Sequence, residues 1–167
     1  MNFFTRTDLA WAAGFIDADG VITIVRRAQA RPQSGHPGIN IQHQALIQVS
    51  QRDTPDREAP INKLVEMFGG YVNRHIVKPN EIIKRSHGMI TWGVASKKAF
   101  HCLELIYPYL VLKKKQADVV MQFHSEKVLS VGGYRFDRRL KPEELEKREV
   151  FWNKIRELNK RSSEIKK

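Results

Sequence analysis

The stretch Ala12-Ala13-Gly14-Phe15-Ile16-Asp17-Ala18-Asp19-Gly20 constrains the fold more than any other part of the chain. Thr7 and Asp8 are helix-start residues, and Leu9 to Ile16 is apolar with Gly14 as its one weak point. Gly20 stops the helix, and Val21-Ile22-Thr23-Ile24-Val25 is a β-branched strand. Asp17 and Asp19 therefore fall at a helix-to-strand joint. Ala10, Ala13 and Gly14 leave little bulk on one side of the helix, so a second helix backbone can come close. If that helix is the same one from another copy, two Asp19 carboxylates meet near a two-fold axis. Paired carboxylates are hard oxygen ligands suited to Mg²⁺ or Mn²⁺.

The rest of the chain predicts an α+β fold. Ile39, Ile41, His43, Ala45, Ile47 and Val49 alternate with Asn40, Gln42, Gln44, Leu46 and Gln48, which is a strand with one apolar and one amide-rich face. Strand one splits similarly, Ile22 and Ile24 opposing Thr23, Val25 and Arg27. Pro60, Ile61, Leu64, Val65 and Phe68 mark a helix ended by Gly69-Gly70. Tyr71 to Val77 and about Met89 to Ala95 form a second strand pair, the register of the latter being open because its preceding loop has no defined length. Ser96 caps a helix to Ile106, a longer helix spans about Lys113 to Val131, and Pro142 opens a last one to about Lys160. The order is α-β-β-α-β-β-α-α-α. It predicts a four-stranded antiparallel sheet with helices on one face. No linker interrupts it, so one domain is expected, with a core over about 8–131 and a C-terminal helical extension over about 141–160.

Charge placement points to a polyanion. The net charge is +11 over 167 residues. From Gly20 to Arg52 there is no acid, and from Met67 to Leu103 only Glu81. A surface built from these segments is positive and suits phosphates. The single Cys102 rules out an internal disulfide framework and reads as a core thiol. The chain has no apolar run long enough for a membrane span and no secretory signal, so an intracellular protein without a membrane partner is expected. His43 lies on the apolar face and reads as a satisfied core histidine. The scattered histidines and one cysteine make no zinc pattern.

The Ala12–Gly20 stretch resembles the LAGLIDADG motif of homing endonucleases: Ala13, Gly14 and Ile16 to Gly20 match, and Ala12 and Phe15 replace its two leucines. Gln51 after the amide-rich strand, and Pro108 to Ala117 after the third helix, resemble the single-motif group. The resemblance covers about Asp8 to Val131. It implies that the sheet is saddle-shaped. It also implies a homodimeric, intron-encoded enzyme that cuts both strands of a long, nearly palindromic DNA site with a divalent metal, leaving 3′ overhangs. No small-molecule substrate is implied, and the setting is an organelle or a bacterial cytoplasm. Asp19 matches the metal-binding carboxylate, with the Ala18 carbonyl beside it. Gln51 and Lys113 match residues that organise water and charge at the scissile phosphate. Ala10, Ala13, Gly14 and Asp17 are the expected dimer interface, Asp17 standing closer to a structural role.

The amide face of the sheet supplies candidate DNA contacts. Arg27, Gln42, Gln44, Gln48, Asn73 and His75 are expected over base edges, with Thr23 beside them. Arg26, of opposite parity, is expected at a phosphate. Arg31 in the loop, Arg52, Lys114 and Lys115 are further contacts. Trp92 reads as a packing residue and also as a candidate for the DNA face. Lys113 to Lys115 taken alone suit a solvated helix start, yet cations there oppose the helix dipole, which suggests another partner. A protein on this scaffold that binds nucleic acid without cutting it, such as a maturase or regulator, is the alternative.

Overall fold

The computed structural model describes residues 4–30, 39–79, 87–130 and 142–160. Helix α1 spans Arg6–Asp19 and runs directly into strand β1, Gly20–Ala30. Strand β2 is Ile39–Arg52, helix α2 Pro55–Phe68, strand β3 Tyr71–Val77 and strand β4 His87–Ala95. Helix α3 is Lys97–Ile106, followed by a 3-10 turn at Tyr107–Tyr109, helix α4 at Lys114–Ser130 and helix α5 at Pro142–Leu158. The element order is the one the sequence predicts. Two starts differ. Thr5, rather than Thr7, caps α1, in a capping box with Asp8 that satisfies an amide at each end. Helix α2 begins five residues before Pro60, which lies inside it.

The strands form one antiparallel sheet in the order β1-β2-β4-β3. Side chains alternate across it, so the register divides the molecule into two faces. One face carries Ile22 and Ile24 of β1, Ala45, Ile47 and Val49 of β2, and Ile90, Trp92 and Val94 of β4, all buried. The helices cover it with Ile16, Ile61, Leu64, Leu103, Ile106, Val120, Phe123 and Ile155. Each such large side chain, fully buried, contributes about 1.5–3 kcal/mol, so this layer holds helices and sheet together. Cys102 lies in it, and burial pushes its thiol well above the usual range, as a core thiol requires.

Trp92 belongs to this core and not to the outer face. It is fully buried, and its Nε1 donates to the Gly69 carbonyl at 2.8 Å. The register opens the outer face to Thr91 instead, whose Oγ1 meets Ser50 Oγ at 2.9 Å. On α4, Ala117, Val119, Val120 and Phe123 face inward.

His43 is on the apolar face but is not a satisfied core histidine. Its side chain is sealed from solvent, and neither ring nitrogen has a hydrogen-bond partner among the described residues. Its nearest ionic neighbour is Glu149 of α5, at 3.4 Å. Burial holds its imidazole below the usual 6.5, and Glu149 offsets this in part. Below that usual value the unfolded chain takes up a proton that the folded chain refuses. Stability from this group is therefore present above about pH 6.5 and lost as pH falls through the folded value. The melting temperature should drop on acidification below neutrality more in the parent than in His43→Gln; equal drops would locate the acid sensitivity elsewhere.

Candidate active site and nucleic-acid interface

The α1–β1 joint has no spare residue. Gly20 follows Asp19 directly, and a Cβ there would lie 2.7 Å from the Ile16 carbonyl oxygen and 3.2 Å from that of Gln48. Its φ of −92° is open to any residue, so close backbone approach, not left-handed geometry, demands glycine. The two carboxylates beside it have different surroundings.

Asp17 is buried, and its carboxylate is taken up by one loop. Oδ2 accepts from the backbone N–H groups of Val111, at 2.6 Å, and Leu112, at 3.1 Å, while Oδ1 accepts from that of Lys113 at 2.9 Å. These amides immediately precede α4, where N–H groups lack helical partners and the helix dipole favours an anion. The same contact accounts for the first of the three lysines at this helix start. Lys113 turns back, and its Nζ donates to the Asp17 main-chain oxygen at the C-terminal end of α1. The last turn of α1 has no basic residue of its own, so Lys113 supplies one across the fold. Burial lowers the Lys113 pKa, against the pull of Asp17 and Asp19, which favour the ammonium.

Asp19 is exposed, and the residues predicted around it are brought together. Gln51 Nε2 donates to Asp19 Oδ2 at 2.9 Å. Gln51 Oε1 in turn accepts from Arg57 Nη1 at 3.0 Å. An amide held by a carboxylate on one side and a guanidinium on the other has one orientation. Arg57 was missed. It sits in the first turn of α2, and a cation there opposes the dipole just as Lys113 does, which is the signal that finds it. Among the described residues no three His, Cys, Asp or Glu side chains gather into a metal site. Asp17 spends both oxygens on amides, so one copy of the chain offers a metal Asp19 as its carboxylate here.

The outer sheet face collects the predicted base-reading side chains. Arg27 pairs with Gln42, Val25 with Gln44, Thr23 with Leu46, and Val21 with Gln48. Asn73 and His75 of β3 share that face through their partners Thr91 and Met89. Tyr71 lies on it as well: a Cβ on Gly93 would come within 2.6 Å of its ring. Gln44 is half-buried and donates from Nε2 to Ser96 Oγ at 2.9 Å. Arg52 is exposed on the outer face, while its neighbour Gln51 turns to the helix side. Lys114 and Lys115 are exposed, Lys114 Nζ lying 4.9 Å above the Tyr107 ring. Arg31 lies outside the described residues. Arg26 has the predicted opposite parity, but a carboxylate and not a phosphate occupies it: Nε donates to Glu149 Oε1 at 2.7 Å.

The open stripe of α1 differs from the expected one. Ala13 is fully buried and Asp17 nearly so within the chain itself, which removes both from any surface. Ala10, Gly14 and Ala18, four residues apart, are exposed, and a Cβ on Gly14 would meet nothing within 4 Å. Beside the C-terminal end of this stripe stand Val111 and Leu112, 79% and 72% exposed, on the loop that holds Asp17.

No protein-family model matches the chain, and no curated protein matches it. Solved structures do. The homing endonuclease I-CvuI in complex with its target superposes with a TM-score of 0.64 at 23% identity, over 95% of this chain and 88% of that one. The group I intron-encoded homing endonuclease I-CeuI, complexed with DNA, gives 0.53 at 13% identity, over 97% and 72%. The LAGLIDADG homing endonuclease I-GzeII, in complex with its DNA target, gives 0.53 at 15%, over 86% of this chain and 43% of that one. The chain has the fold of the LAGLIDADG homing endonucleases.

Proposed function

We propose that this protein is a LAGLIDADG homing endonuclease: a homodimer that cuts both strands of a long, nearly palindromic DNA site with a divalent metal, leaving short 3′ overhangs. The observation that carries the reading is the convergence of Asp19, Gln51, Lys113 and Arg57 from four separate segments onto one joint. A binder with no chemistry has no need of that convergence. The fold neighbours are DNA complexes, and an outer sheet face free of acids in β1 and β2 suits a phosphate backbone.

The residues fit a hard cation in part. Asp19 and the adjacent Ala18 carbonyl would hold it, with the remaining oxygens coming from DNA or from the second copy. Bound there, Mg²⁺ or Mn²⁺ supplies Lewis acidity at the scissile phosphate. I-CvuI was crystallised with DNA in 2 mM Ca and in 2 mM Mg, the latter with its DNA not cleaved. Gln51 cannot take a proton at neutral pH, so its work is to orient Asp19 and a water. Lys113, with Arg57, offsets charge building on the phosphate. The Ala10, Gly14 and Ala18 stripe, with Val111 and Leu112 at its end, would pack on its own copy and bring the two Asp19 residues together.

Two predictions follow from the split between the acids. Asp19→Asn should abolish Mg²⁺-dependent cutting of a target recovered from a randomised library while leaving binding to it within a few-fold. Asp17→Ala should instead destabilise the fold by roughly 3 kcal/mol, since three amides lose a charged acceptor. Cutting by the Asn variant would overturn the assignment of Asp19 to the metal, whereas a site bound but never cut by the parent with Mg²⁺ would favour the maturase or regulator alternative. Gly14→Leu should yield a monomer in sedimentation with the melting temperature kept, because Gly14 faces open space in one copy. A dimer of unchanged affinity would move the interface off α1.

A further inference from the structure

We propose that Glu149 of α5 is a specificity-positioning residue, bracing from behind the rung of the β1–β2 ribbon beside Arg27 and Gln42. The proposal rests on the endonuclease reading for its DNA. Its structural half stands on geometry alone.

Arg26 and His43 are directly opposed across β1 and β2, and both turn to the helix side. One carboxylate oxygen hydrogen-bonds the first and stands near the second without a hydrogen bond. Glu149 Oε1 lies 2.7 Å from Arg26 Nε and 3.4 Å from His43 Nε2. The next rung outward is Arg27 with Gln42, and both of these turn to the outer face. Backbone position on one rung sets side-chain direction on the next, since successive residues share a pleat.

This rung needs bracing because β4 does not reach it. β4 pairs with β2 from Leu46 to Arg52 and Ser96, just past it, still donates to the Ala45 carbonyl at 2.9 Å, so the rungs from Val25 and Gln44 outward have two-stranded backbone pairing. A two-stranded ribbon is marginal and twists more than a wide sheet. Helix α5 lies beneath it. Its Trp152 ring lies against the guanidinium groups of Arg26, at 5.5 Å, and Arg156, at 4.6 Å. Asn159, just past its end, donates from Nδ2 to the Ile22 carbonyl at 3.1 Å. The charges facing this cluster are Arg148 and Glu144 of α5 together with Arg26. Glu149 is thus the carboxylate that ties β1 to the helix by a hydrogen bond and stands against His43 of β2. A C-terminal helix on the opposite side of the sheet from these side chains would in this way set how sharply Arg27 and Gln42 discriminate bases.

The test uses the full-length chain and the randomised half-site library. Arg27→Ala and Gln48→Ala first map which base positions belong to the two-stranded and four-stranded parts. Glu149→Gln should then lower discrimination about tenfold at the Arg27 positions and leave the Gln48 positions unchanged. In the free protein it should speed amide exchange at residues 25–28 and 41–44 about tenfold, with residues 46–52 unaffected. The exchanged pair Arg26→Glu with Glu149→Arg should recover most of both. If Glu149→Gln does not fold, Arg26→Gln breaks the same bond from the other side. An unchanged profile, or equal weakening at every position, would overturn the proposal. A parent chain that selects no site removes the endonuclease reading and the specificity role with it, while the exchange measurement still decides whether Glu149 braces the ribbon.

Discussion

The Asp17 carboxylate is the contact on which the site depends. A buried carboxylate is costly unless its lone pairs are met by donors. Here three consecutive amides meet them, and those amides belong to the residues just before α4. The end of α1 and the start of α4 are thereby joined, although 94 to 96 residues separate the partners along the chain. Lys113 reaches the α1 terminus as a consequence, next to an acid two residues further on that stays in water. Two aspartates of identical chemistry thus divide into an internal anchor and an exposed ligand candidate, and burial makes the difference.

The sheet divides the labour in the other direction. Its inner face is a hydrocarbon layer that commits Ile22, Ile24, Ala45, Ile47, Val49, Ile90 and Val94 to the helices, and Trp92 with them. Its outer face keeps amides, arginine, hydroxyls and Tyr71. Gln51 sits where these regions meet. It lies on the inner side of β2, beyond the last buried aliphatic, Val49, and so reaches Asp19 rather than the outer face. One strand therefore carries both the outer-face amides and the Gln51 that reaches Asp19, told apart by parity alone.

That parity is why so much was legible in the sequence. Alternation in β1 and β2 put Arg27, Gln42, Gln44 and Gln48 on one face, and the register agrees. The order of elements followed from periodicity and from glycine and proline stops. What was not legible depended on distant partners or on small angular differences. Ala13 and Gly14 are adjacent, yet about 100° apart around the helix, so one is buried and the other open. Arg26 finds Glu149 at a separation of 123 residues, which no local pattern encodes. Arg57 was overlooked because Pro60 suggested a later start for α2, leaving the arginine outside any helix. Trp92 is ambiguous by composition, and the register resolved it.

The central claim is that each copy of the chain builds one cutting centre at its own α1–β1 joint and serves one strand. A mixed dimer tests this most directly, with one subunit intact and the other carrying Lys113→Ala, purified through two different tags and given a supercoiled plasmid bearing the selected site with Mg²⁺. The account predicts nicked circles as the main product, where the parent dimer gives linear DNA. Linear DNA at the parental rate, or no strand cut at all, would contradict it.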